Sequence, residues 1–265
     1  MSVILQKALP FAPWMQAHTL RLPGIQPIKL EDWLQIDDVY TEQLLEKQKI
    51  LENHFDQVHV MANECVLAGE ELLSLVLTLL NDLGFVQSGL RVKRPDGLEV
   101  IIDANKPLLT LAKLLQEDFL IMIEKSGEHV LMGGCLCFPA SWDLLEKFMK
   151  PLTFIHDPVP IYDEILAKRV ERLLSSVRPE IPLMRGNTLR YTDPTLFLPK
   201  RNSDPDRKDI KGEFIRSERQ TLVRLPKSKA VVFSIHTYVI KEEDLTVPQK
   251  IGLQELGALL PYENS

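Results

Sequence analysis

The segment TFIHDPVP, residues 153–160, sets His156 behind Phe154 and Ile155 and ahead of Pro158 and Pro160. An imidazole titrates near neutral pH and ligates zinc or haem iron. In an apolar stretch whose backbone proline stiffens, it suits either a haem or metal ligand or a satisfied structural histidine, and the residues alone leave both readings open. The other five histidines have blander settings. His18, His54 and His59 sit among polar residues and are expected at the surface, while His129, near a hairpin turn, and His236, inside a strand, are expected to be structural. A second concentration of chemistry is FIRSERQTLVRLP, with Arg216, Glu218, Arg219, Gln220 and Arg224. Strand alternation puts Arg216, Glu218 and Gln220 on one face and Ser217, Arg219 and Thr221 on the other, so the two arginines do not enter one pocket together. Cys135 and Cys137 share a face, but with only Cys65 besides they fall short of the ligands that zinc requires and read as small core residues.

The elements that must position these groups follow from periodicity. Residues 31–54 read as a helix with Trp33, Ile36, Tyr40, Leu44 and Leu51 on one stripe, and residues 65–83 as a more apolar helix stopped by Gly84. Residues 90–102 and 119–138 read as two hairpins, turning at Pro95-Asp96-Gly97 and at Ser126-Gly127. SWDLLEKFM is expected to be a short helix with Ser141 as its N-cap, and residues 161–177 an amphipathic helix opening after Pro160. Two strands, EFIRSERQTLVRL and AVVFSIHTYVI, follow a polar loop at residues 201–212, and the C-terminal stretch reads as a short helix. Strands gathered in the middle and late parts point to α+β rather than to alternating α/β.

Composition narrows the function classes. The 265 residues are 45% hydrophobic, enough for a sizeable core, and the net charge of -6 has no basic block of the kind that binds nucleic acid. No apolar run is long enough to span a membrane, and the first residues lack a signal peptide's long apolar region. Three cysteines cannot all pair with one another, and a cytoplasmic, reducing location is expected. Phosphate-binding loops of the G-x-G-x-x-G and G-K-[ST] types are absent, as is a G-x-S-x-G nucleophile elbow.

The order of motifs resembles the haem-dependent oxidative N-demethylase family. The likeness runs through PFAPW, LEDWLQIDDVYTEQLLEKQKIL, QEDFLIMIE, CFPASWDLLEKFMKPLTFIHDPVP, RGNTLRYTDPTLF and FIRSERQTLVRLPKSKAVVFSIHTYV, nearly the whole chain. IHDPVP and RSERQTLVRLP carry most of its specificity. The resemblance implies a PAS-like antiparallel sheet with flanking helices, here one domain over 1–265 with a helical part to about residue 84. It implies haem b and oxidation of a small methylated amine with O2, releasing formaldehyde. Electrons would come from NADPH through a separate flavin and iron–sulfur reductase subunit, and neither nucleic acid nor membrane is an expected partner. His156 would be the axial iron ligand, with Lys147, Arg185 and Lys150 as candidate partners of the haem propionates. Arg219 is preferred to Arg216 as the guanidinium facing bound O2, because Ser217 and Thr221 leave room beside it. Glu263 is the carboxylate expected to anchor the substrate ammonium. A non-enzymatic haem-binding sensor and a haem-free relative are the alternative readings.

Overall fold

Ser126 and Gly127 both take positive φ, 55° and 86°, which a two-residue turn needs if it is to match the right-handed twist of its strands. They join strand β6 (Asp118–Lys125) to β7 (Glu128–Cys135), one of the two hairpins expected from the turn residues. The computed structural model describes residues 3–15, 24–155, 164–200 and 212–259. Around that hairpin, β1 (Gln26–Pro27), β2 (His59–Met61), β8 (Leu183–Tyr191), β9 (Phe214–Arg224) and β10 (Val231–Lys241) complete a seven-stranded sheet. Its order is β1-β8-β9-β10-β6-β7-β2, every pairing antiparallel. The other hairpin lies apart in a small sheet of β3 (Val86–Ser88), β4 (Arg91–Lys93) and β5 (Glu99–Ile101). An antiparallel sheet with helices against it is the α+β arrangement expected.

The helices depart from expectation mainly at their ends. Helix α1 spans Tyr40–Asn53 and starts later than the stripe suggested, because Asp37 forms a turn with Val39 and Tyr40 and the chain before it holds only a 3-10 turn, Leu30–Asp32. Its buried positions, Tyr40, Gln43, Leu44, Lys47 and Ile50, keep the helical spacing. After the four-residue α2 (Phe55–Val58) comes α3 (Val66–Leu79), and a 3-10 turn then ends at Gly84 in the left-handed conformation, as expected of a glycine stop. Helix α4 covers Pro107–Leu114, α5 Leu144–Lys147, α6 Leu152–Ile155, α7 Glu164–Ser176 and α8 Val247–Leu259. Asp143, not Ser141, caps α5: its carboxylate accepts from the backbones of Leu145 and Glu146.

The two sides of β9 and β10 are covered by different parts of the chain. One side, here the N-terminal face, packs Ile215, Tyr238 and Ile240 against Leu9, Ala12 and Trp14. Further along it, Val223, Val232, Phe119 and Ile121 join Trp33 and helices α1, α3 and α4 in the main core. The opposite side, the arm face, carries Leu120, Met122, Val231 and Ile235, against which Leu144, Leu152 and Leu174 of α5, α6 and α7 pack. All three cysteines are buried and free, as expected of core residues. No described helix is long and apolar enough to cross a membrane.

Candidate functional site

The chain leading to His156 is tied down residue by residue. Met149 takes a positive φ of 60°, which turns the backbone back onto β7. There the Met149 N–H donates to the Leu131 carbonyl and the Leu131 N–H to that of Lys150. Pro151 bridges to Val130, and the Thr153 hydroxyl donates to Glu128 at 3.0 Å. Helix α6 thereby reaches Ile155, whose side chain joins the arm-face cluster with Trp142, Phe148, Leu222 and Phe233. His156 itself lies outside the described residues, as does Glu263. Past the following segment, α7 returns to the same strand. Glu171 lies 2.7 Å from His129 Nδ1 and accepts from the His129 backbone, while Arg224 donates to the Leu174 and Val177 carbonyls.

Opposite these arms, three strands present their side chains in rows, because residues paired across an antiparallel sheet share a face. The first row, Leu183, Leu222 and Phe233, continues into Leu120 of β6 and is apolar. The next is Arg185, Gln220 and Ile235, the third Asn187, Glu218 and Thr237, and the fourth Leu189, Arg216 and Val239. The polar rows are linked. Gln220 Nε2 donates to Glu218 Oε2 at 2.9 Å, and Asn187 Nδ2 lies 3.5 Å from the same oxygen. Arg216 gives its terminal nitrogens to the carbonyls of Leu196 and Phe138, at 3.0 and 2.6 Å, and its Nε stands 3.6 Å from Glu218 Oε1. Three buried polar atoms of these rows have no hydrogen-bond partner: Arg185 Nε, Arg216 Nε and Thr237 Oγ1. Burial pushes the Arg185 pKa down, and the charge of Glu218 works against that shift.

Arg219 is placed otherwise than expected. It lies on the N-terminal face, where its terminal nitrogens donate to the carbonyls of Trp33 and Asp32, both at 2.6 Å. The space left by Ser217 and Thr221 serves the sheet and Trp33: Ser217 meets Thr188, and Trp33 Nε1 donates to Ser234 Oγ, across from Thr221. Next to Arg219, His236 is buried with Nδ1 3.1 Å from Glu117 and Nε2 3.2 Å from Asp37. Burial alone would lower the imidazole's pKa, but Glu117 and Asp37 outweigh it and raise the value to about 9. His54 and His59, expected at the surface, are half-buried against Phe197 and Phe55.

Of the propionate candidates, Lys147 stands over the Trp142 ring, 4.8 Å from its centre, and burial brings its pKa down to about 8. Lys150 is exposed over Phe154, and Arg185 lies in the second row. The structure thus brings Arg185, Arg216, Glu218 and Gln220 onto the face where Trp142 and Ile155 pack, and leaves Arg219 behind it. Sequence reasoning missed Asn187 and Thr237, because strand β8 went unrecognised and only pairing across β8, β9 and β10 sets the two beside Glu218.

A family model described as haem-dependent oxidative N-demethylase, alpha subunit-like, matches residues 24–259. The chain belongs to this family.

Proposed function

We propose that this family member is a haem-carrying oxidative N-demethylase of a small methylated amine, with His156 as the axial ligand. The observation that carries the reading is the family match, which spans both the His156 segment and every residue of the polar rows. The described residues fit a haem. One half of the arm face is apolar, which excludes water, and the other half holds buried donors without partners. Lys147 would hold a propionate, since an anion beside its ammonium offsets the burial that depresses its pKa. The chemistry supplied by haem b, when bound, is the O2-dependent oxidation of an N-methyl group, from which formaldehyde leaves. Electrons are proposed to reach it from NADPH through a separate flavin and iron–sulfur subunit.

The chain's own residues do the rest. Arg216, rather than Arg219, is the guanidinium of the motif that faces this site. Its terminal nitrogens are tied to carbonyls, so its remaining donor, Nε, is fixed in position beforehand. Gln220 orients the Glu218 carboxylate, and Leu222 and Phe233 keep the adjoining row dry.

The purified protein should show a haem absorption spectrum and, with a reductant and O2, release formaldehyde from dimethylamine. His156→Ala should abolish or greatly weaken haem loading while circular dichroism shows the helices intact. An unchanged haem spectrum in that variant would remove His156 from the iron.

A further inference from the structure

We propose that the amine this chain takes also carries a carboxylate: Arg185 and Glu218 read the two ends of a zwitterionic N-methylated amino acid. The proposal rests on the N-demethylase reading and names the substrate class for that site. Arg185 and Glu218 are diagonal neighbours on strands β8 and β9, on one face of the sheet. Arg185 feels the charge of Glu218, yet the two form no ion pair, and Arg185 Nε is buried without an acceptor. A buried N–H left without an acceptor is costly, and a bound anion relieves that cost.

The cationic end is built the same way. Glu218 is buried, its Oε2 held by Gln220, while its Oε1 meets Arg216 Nε at 3.6 Å without a hydrogen bond. Directly across the strand pair, Thr237 Oγ1 is buried and unpartnered, an acceptor for an N–H. The row is reached from one side: Arg185, Asn187 and Gln220 are half-buried, whereas Glu218 and Thr237 are buried.

The charges decide between amines. Arg185 and Arg216 against Glu218 leave one positive charge in excess on these rows. A simple dialkylammonium adds a second beside Arg185, whereas a zwitterion adds none and gives Arg185 its missing acceptor. The same carboxylate chemistry exists in a haem propionate, so the test must tell the two sources apart.

The test is equilibrium dialysis on the haem-loaded protein with N-methylglycine, its neutral amide N-methylglycinamide, and dimethylamine, together with haem content and formaldehyde release. N-methylglycine should bind roughly tenfold or more tighter than dimethylamine, the scale of one ion pair. Arg185→Met should erase that margin at unchanged haem content, and Glu218→Gln should weaken both amines. The amide should bind the wild-type protein no better than dimethylamine, which tests the carboxylate even where a variant fails to fold. Equal binding of N-methylglycine and dimethylamine overturns the proposal. So does an Arg185→Met protein that loses haem and keeps the margin, because Arg185 then belongs to the cofactor. Formaldehyde from dimethylamine with no preference for N-methylglycine sinks the zwitterion and leaves the N-demethylase standing. A preference for N-methylglycine with no formaldehyde from any of the three does the reverse.

Discussion

The two faces of strand β9 bury polar groups in similar number and differ in how those groups are used. On the N-terminal face no buried donor of the described residues is left over. Both terminal nitrogens of Arg219 reach carbonyls, both ring nitrogens of His236 reach carboxylates, and Trp33 Nε1 reaches Ser234. Glu117 Oε2 is left without a partner there, but a carboxylate already accepting at its other oxygen tolerates a spare lone pair better than a buried donor tolerates having no acceptor. On the arm face Arg185 Nε, Arg216 Nε and Thr237 Oγ1 are left over. A spent network specifies a structure, and leftover donors in one patch mark where a ligand supplies the partners.

The contrast predicts opposite outcomes for Arg219 and Arg185, one on each face of the sheet. Arg219→Met should destabilise the fold by about 3–5 kcal/mol, the scale of two charge-assisted hydrogen bonds with one buried and one part-buried carbonyl left unmet. Amine affinity and haem content should stay within error in the variant that remains folded. Urea unfolding and dialysis on the same preparation measure both. A stable Arg219→Met protein that binds no amine would put the ligand on the N-terminal face and break the contrast.

The alternation within FIRSERQTLVRLP was legible in the sequence: Arg216 and Arg219 do lie on opposite faces. Which face would be closed was not, because parity groups residues without saying what covers them. Small neighbours beside Arg219 suggested room for a ligand, and Trp33, from 186 positions earlier in the chain, takes that room. Turns with a local cause were read correctly, as at Ser126-Gly127 and Gly84. Strand β8 was not, since LMRGNTLRY mixes glycine with polar residues and is half-buried at most positions, leaving no alternation to detect. Gly186 within it gives a reason for the residue choice: a Cβ there would stand 2.2 Å from Pro13 Cγ, so the PFAPW segment needs glycine to cross the strand. Thr237, Asn187 and Arg185 became a site only through pairing across β8, β9 and β10.

A pH series gives a middle-sized effect confined to the N-terminal face. His236 is raised from 6.5 to about 9 in the fold, so its stabilising contribution is complete below the unfolded value and disappears as pH rises through about 9. Asp37 works in the other direction. Hydrogen bonds to His236, Gln116 and Gln6 outweigh burial and lower its pKa below 3.8, so its contribution is present above that value and is lost as pH falls further. Stability measured by urea midpoint should therefore be nearly flat between about pH 5 and 6.5 and decline by about 3 kcal/mol toward pH 10. His236→Gln should flatten the alkaline decline. An unaltered decline in that variant would assign the titration to another group.

The smallest expected effect on stability has the opposite sign. In Arg185→Met a half-buried guanidinium with no hydrogen bond among the described residues gives way to an apolar chain of similar reach. The wild-type protein bears the desolvation of that charge, visible as its lowered pKa, and the variant does not. Glu218 loses a favourable neighbour, but it keeps Gln220 and the nearby Arg216, so the change does not strand a carboxylate. The two consequences nearly cancel, and the variant should unfold at the wild-type urea concentration or up to about 1 kcal/mol beyond it. Stability kept or gained while the N-methylglycine preference is lost is the mark of a residue retained for a ligand at the fold's expense. If Arg185→Met instead lost as much stability as Arg219→Met, Arg185 would be structural, and the two faces of β9 would no longer differ in kind.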